Sequence, residues 1–226
     1  MRLELANERS QMVARWSKVF GAGACWYTGP PVQLTRVTSN ACADRSMAIR
    51  KLHDKLGFCA KGDLRQGGLC SGTIFRTGSF IALPQEQRSG ARARQTVHIE
   101  HTVPVTVLAA RLENRVVTGG SDADEHLAWL LKHSVTTAMR KGQDTAYFKG
   151  VTRSTTAFDS GSSDANKPLA RYAELYADGE TVWDVWNGVE VGPGDLTFDR
   201  HFAIILEVLR ETGASTSFVH RLEAAA

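Results

Sequence analysis

One eight-residue segment constrains the fold more than any other part of the chain. Residues 97–104 read VHIEHTVP, which alternates apolar and polar side chains at first and ends in proline. Alternation with a period of two predicts a half-buried β-strand over residues 96–100. Pro104 has no backbone N–H and suits the first turn of a helix, so we expect a helix from about Val105 through Leu112. A strand that leads into a helix favours a mixed fold.

Periodicity in the remaining sequence supports an α+β fold with short strands and several helices. Apolar residues recur at helical spacing over residues 4–20, 44–56, 125–140 and 200–211, and a short helix is predicted from Pro168 to about Ala177. Strands are predicted within residues 72–84, as a pair joined by a turn, and over 181–186, with surface loops at 85–95 and 150–166. No linker separates these elements, so we expect a single domain over residues 1–226. Residues 222–226 resemble a cloning remnant and are set aside.

Composition excludes several classes of protein. The chain is 42% hydrophobic and 23% charged, which excludes collagen-like and wholly disordered chains. No apolar run approaches the 18 residues of a membrane-spanning helix, and the first residues lack the apolar stretch of a signal peptide, so we expect a cytoplasmic protein without membrane contact. Cys25, Cys42, Cys59 and Cys70 form no C-x-x-C pair and are expected to be free thiols, although a zinc site that includes His53 is an alternative.

Positive charge is concentrated in the first part of the chain. Residues 1–100 hold 15 Lys and Arg against 7 Asp and Glu, whereas residues 101–226 hold 12 against 17. Such an excess is typical of a surface that binds the phosphates of a nucleic acid, although it is also compatible with an ordinary solvated face. The candidate DNA contacts are Arg45, Arg50, Lys51, Lys55, Arg92 and Arg94.

Three histidines and one glutamate carry the candidate chemistry. Glu100 and His101 are adjacent at the end of the predicted strand, and His126 and His133 follow in one predicted helix. Seven residues are nearly two helical turns, so His126 and His133 share one face about 10 Å apart along the axis. They could not both bind one ion directly, which favours different roles for them.

This arrangement resembles the HNH, or ββα-metal, nucleases. Glu100 to Pro104 is similar to the acid–histidine element of that motif, His126 to the residue that leads its helix, and His133 to the metal-binding histidine within the helix. The resemblance implies a ββα-metal core over residues 95–142, with His101 as general base and His126 as the residue that orients it. It also implies that Glu100 and His133 hold one divalent ion per chain, Mg²⁺ or Mn²⁺. The segment before His126 looks more helical than the motif requires.

The sequence therefore predicts a metal-dependent DNA endonuclease that hydrolyses phosphodiester bonds, in the manner of a type II restriction enzyme with a specific site. Residues 1–94 would recognise DNA, and residues 143–221 would form a C-terminal part of helices and strands. A symmetric double-strand cut implies a homodimer on duplex DNA. The alternatives are a toxin or repair nuclease of low specificity and a regulator that binds DNA without cutting it. No P-loop or G-x-G-x-x-G segment supports nucleotide chemistry.

Overall fold

The structure, a computed structural model, describes residues 2–20, 72–88, 93–119, 122–148 and 156–226. This part of the chain forms ten α-helices, a 3₁₀-helix, a further 3₁₀ turn at residues 156–158 and a five-stranded sheet, which confirms the α+β class. The α-helices are α1 (Arg2–Phe20), α2 (Gly78–Ile81), α3 (Gln85–Arg88), α4 (Ala93–Thr96), α5 (Val105–Gly119), α6 (Ala123–His133), α7 (Gln143–Tyr147), α8 (Ala173–Ala177), α9 (Phe198–Glu211) and α10 (Thr216–Ala224). The 3₁₀-helix is Pro168–Tyr172, and the strands are β1 (Phe75–Thr77), β2 (Val97–His101), β3 (Thr136–Arg140), β4 (Val182–Asp184) and β5 (Val189–Glu190).

The sheet is mixed. Its strand order is β2-β3-β1-β4-β5, with β1 and β3 parallel and the other neighbours antiparallel. The register places Glu100 opposite Thr137, Thr137 opposite Phe75, and Phe75 opposite Asp184. Residues that face each other across a ladder point to the same side of a sheet. These four side chains therefore form one row across the sheet.

The chain order around Glu100 differs from that of a ββα unit. Strand β2 is followed by α5 and α6, and its antiparallel partner β3 comes only after both helices. The segment before His126, where the motif requires a second strand, is helical over Val105–Gly119, and the helix expected over 125–140 ends at His133. β-Branched Val135, Thr136 and Thr137 suit a strand, and all five residues of β3 pair with β2, so pairing overrides helical periodicity there. The structure thus does not confirm a ββα-metal core.

The predicted pair of strands within 72–84 is also only partly present. β1 ends at Thr77, and α2 begins there because the Thr77 hydroxyl accepts a hydrogen bond from the amide of Phe80. A side-chain oxygen at this position satisfies one of the amides that a new helix leaves unpaired. The expected loop over 85–95 contains the short helices α3 and α4 on either side of residues 89–92, which lie outside the described part.

Helices at both ends of the described chain bury side chains in the core. Met12 and Trp16 of α1 are fully buried, and so is Leu222 of α10, so the terminal helix belongs to the fold even though its last residues were set aside. Buried Glu8 binds Arg76 and, at 2.7 Å, Arg88, which ties α1 to β1 and α3. No described helix is long and apolar enough to cross a membrane. The expected helix at 44–56 and the four cysteines lie outside the described residues.

Candidate active site

Strand β2 presents two polar side chains side by side. Val97, Ile99 and His101 are buried, whereas the side chains of His98 and Glu100 keep 34% and 14% of their surface exposed. This is the alternation expected of a strand with one face against the core. Since His98 and Glu100 are two residues apart, they lie on the same side of the sheet.

Glu100 is the centre of a charged cluster formed by His98, Glu100, Asp144 and Arg171, which we call the Glu100 cluster. Its Oε1 lies 3.0 Å from Nη1 of Arg171, and its Oε2 lies 3.2 Å from Nε2 of His98. On the other side of the ring, Nδ1 of His98 lies 3.7 Å from Oδ2 of Asp144. An imidazole placed between two carboxylates has the geometry of a general base or acid.

Each member of the Glu100 cluster is fixed by its own element. Arg171 belongs to the 3₁₀-helix, donates to the backbone carbonyl of His101 at 3.0 Å and covers the ring of Phe148 at 5.1 Å. Asp144 lies in the first turn of α7, where its Oδ1 accepts from the amide of Gly142 at 3.0 Å. Gly142 has a φ of 102°, a conformation that glycine adopts without strain, and this turn brings α7 back over the end of β3.

Three exposed cations, Arg94, Arg140 and Lys141, lie at the end of the β2–β3 ladder where Val97 pairs with Arg140. Arg140 pairs with Val97, and the amide of Lys141 donates to the carbonyl of Thr96 at 2.9 Å. The ammonium group of Lys141 donates to the carbonyl of Arg94, also at 2.9 Å. Of the candidate DNA contacts, Arg94 is exposed, while Arg45, Arg50, Lys51, Lys55 and Arg92 lie outside the described residues. Exposed cations attract a polyanion.

His133 lies in a different environment, an aromatic cluster formed by Trp129, His133, Phe158 and Phe198, which we call the His133 cluster. Its ring centroid is 4.5 Å from those of Trp129 and Phe198 and 5.2 Å from that of Phe158. Its Nδ1 donates to the carbonyl of Trp129 at 2.7 Å. Burial lowers the pKa of His133 from 6.5 to about 4, although the Trp129 carbonyl opposes this shift. His133 is therefore neutral at pH 7.

The two histidines predicted to be catalytic, His101 and His126, are buried. His101, the last residue of β2, pairs with Thr136 and is 8% exposed, and its carbonyl is the one that Arg171 binds. His126 is 5% exposed, and its amide donates to the carbonyl of Asp122 in the first turn of α6. The roles of base and orienting residue assigned to them stay predictions.

Glu100 and His133, the predicted pair of metal ligands, have different surroundings. Glu100 is engaged by Arg171 and His98, whereas His133 is enclosed by aromatic rings. Within the described ranges, no group of three or more His, Cys, Asp or Glu side chains is disposed to hold a metal ion. The assignment of Glu100 and His133 to one divalent ion stays a prediction.

Sequence reasoning missed three members of the Glu100 cluster. His98 could have been found from the alternation of β2, which places it beside Glu100 on one face. Arg171 is 71 residues from Glu100, and no local pattern links the two. Asp144 reaches His98 only through the turn at Gly142. No family model matches the chain, and neither does any curated protein or solved structure.

Proposed function

We propose that this chain is an endonuclease that hydrolyses phosphodiester bonds of duplex DNA, with the Glu100 cluster as its reactive centre. The observation that carries the proposal is the position of His98, which lies between the carboxylates of Glu100 and Asp144. Glu100 is also the acidic residue that the HNH-like motif singles out. The motif and the geometry therefore both indicate Glu100.

The cluster offers the groups that phosphodiester hydrolysis needs. The reaction requires a base that takes a proton from the attacking water and positive charge that offsets the growing charge on the phosphate. When Nε2 of His98 donates to Glu100, Nδ1 is the nitrogen that can take a proton, and Asp144 at 3.7 Å can orient a water beside it. Arg171, 3.0 Å from Glu100, supplies a positive charge within the cluster itself.

Arg171 and Glu100 then act as positioning residues. Arg171 fixes the Glu100 carboxylate at 3.0 Å, and Glu100 fixes the ring of His98. An imidazole held in one orientation by a carboxylate is a better base than a freely rotating one. The predicted requirement for Mg²⁺ or Mn²⁺ enters the proposal as a measurable property of the whole enzyme, with Glu100 and His133 as its predicted ligands.

Plasmid cleavage by the purified full chain tests the proposal. Supercoiled plasmid is incubated with wild type, His98→Gln, His101→Gln and Glu100→Gln, each with Mg²⁺, with Mn²⁺ and with EDTA. We expect His98→Gln and Glu100→Gln to lower the cleavage rate roughly 10²–10⁴-fold, because general-base assistance acts on the transition state. Glu190→Gln, which removes an exposed carboxylate of edge strand β5, is the matched control and should cleave like wild type.

The same assay discriminates the alternatives. If His98→Gln cleaves normally while His101→Gln is inactive, the base is His101, as the motif predicts. Wild type that binds the plasmid but never nicks it is a regulator, which would overturn the proposal. Discrete bands support a restriction enzyme with a specific site, whereas a smear supports a toxin or repair nuclease. A homodimer, which a symmetric cut requires, is checked by sedimentation.

A further inference from the structure

Helix α5 carries two exposed arginines, each of which lies over an aromatic ring. The guanidinium carbon of Arg111 is 4.2 Å from the ring centroid of Phe158, and that of Arg115 is 5.7 Å from the ring centroid of Trp129. Both rings belong to the His133 cluster, whose Trp129, His133 and Phe158 rings are inclined to one another by only 23–29°. Cation–π contacts with these rings restrict the positions of the two guanidinium groups.

Arg111 and Arg115 differ from every other arginine that lies on an aromatic ring in the described ranges. Seven arginines do so, and five of them also contact a carboxylate: Arg9, Arg76, Arg88, Arg171 and Arg221. The two on α5 have no carboxylate within ion-pair distance among the described residues. Stacking orders a guanidinium group but leaves its N–H donors available for a ligand.

Carboxylates near the stack are already engaged. Asp199, at the start of α9, lies 2.6 Å from the ammonium group of Lys132. Asp159 follows Phe158 in sequence, and its Oδ1 accepts from the amide of Gly161 at 3.0 Å. Neither carboxylate forms an ion pair with Arg111 or Arg115.

A shallow groove runs along the same side of α5. It has a volume of about 430 Å³ and is lined by Thr106, Val107, Ala110, Arg111 and Asn114. These positions follow the spacing of one helix face and extend about 12 Å along the axis. Thr106, Asn114 and Arg111 give it three hydrogen-bonding side chains, which suits an extended polar ligand better than an apolar one.

We propose that this face of α5, from Thr106 to Arg115, binds the phosphate backbone of duplex DNA, with Arg111 and Arg115 as its two fixed phosphate contacts. The inference rests on the proposed function for its choice of ligand. It locates DNA binding outside residues 1–94, to which the sequence analysis assigns it. Helix α5 begins four residues after His101, so this surface is joined to the Glu100 cluster by a short, well-defined connection.

Salt-dependent binding tests the surface separately from catalysis. The affinity of a fluorescent 30-base-pair duplex for the full chain is measured by anisotropy in EDTA between 50 and 200 mM NaCl. We expect Arg111→Gln/Arg115→Gln to weaken binding about tenfold at 100 mM NaCl and to make the log–log salt slope shallower by about 0.9 for each lost phosphate contact. Arg111→Lys/Arg115→Lys keeps the charges without the planar stack and should keep most of the slope.

The control removes the same charge elsewhere. Arg210→Gln/Arg221→Gln deletes two half-exposed arginines that are paired with Glu223 and Asp124, and it should leave the slope unchanged. A thermal melt of each variant confirms that it is folded. The inference is overturned if wild type does not bind the duplex, or if the Arg111/Arg115 and Arg210/Arg221 variants lose affinity equally. If binding behaves as expected but no variant or wild type cleaves, the surface stands and the proposed function fails.

Discussion

The Glu100 cluster and the His133 cluster contain the same residue type in opposite settings. His98 lies between two carboxylates at the edge of the sheet, whereas His133 lies among three aromatic rings and is neutral at pH 7. A motif based on spacing treats all histidines alike, because spacing describes where a residue lies along an element and not what covers it. The charge of the neighbours, which only the fold supplies, decides which histidine can exchange protons.

Acid should destabilise the aromatic side of the molecule. His133 and the fully buried His201 both have pKa values lowered by burial from 6.5 to about 4. Between these values the unfolded chain binds protons that the folded chain does not, so stability falls as the pH drops from 6.5 towards 4. The loss is on the order of 2–3 kcal/mol for each histidine.

Urea unfolding at pH 7, 6, 5 and 4.5 measures this loss. His201→Gln removes one of the two titrating groups, so its free energy of unfolding should change less over this range than that of wild type. His220→Gln, an exposed histidine of α10, is the matched control and should follow wild type. Parallel curves for wild type and His201→Gln would show that His201 is already protonated in the folded state.

Arg171→Met should show that the Glu100 cluster depends on charge pairing rather than on packing. The side chain of Arg171 is 9% exposed, and besides Glu100 it holds the carbonyl of His101. Methionine has similar reach but leaves a mostly buried carboxylate without its cation, which costs about 3 kcal/mol in the free energy of unfolding. Urea unfolding at pH 7 gives the value.

An exposed ion pair is the reference for that variant. Arg221→Met breaks the pair between Arg221 and Asp124, whose side chains are 45% and 24% exposed, and should cost below about 1 kcal/mol. Equal losses for the two variants would mean that Glu100 is solvated like a surface residue. Adding Glu100→Gln to Arg171→Met should return part of the lost stability, because the uncompensated charge is then removed.

Local patterns were sufficient for elements whose own residues decide their structure. The alternation over 97–101 and the glycine-terminated periodicity of α1 gave the correct elements. They failed at residues 134–140, where a helical pattern continues but pairing with β2 makes a strand. Of the residues that contact Glu100, only His98 could be identified from the sequence, because it lies in the same strand. Arg171 belongs to a 3₁₀-helix that is distant in the sequence. The aromatic surroundings of His133 depend on Phe158 and Phe198, which no spacing rule connects to it.

His133→Phe should be the mildest of these changes, and it separates the two interpretations of that residue most directly. A phenyl ring can keep the stack with Trp129, Phe158 and Phe198 but loses the hydrogen bond to the Trp129 carbonyl, so we expect a cost of about 1 kcal/mol. His133→Ala, which leaves the place of the ring empty, should cost more, about 2 kcal/mol or above. If His133 belongs to the aromatic support, the Phe variant binds and cleaves DNA like wild type. If it is the metal ligand that the motif predicts, the Phe variant is inactive at every Mg²⁺ and Mn²⁺ concentration, because phenyl offers no lone pair to an ion.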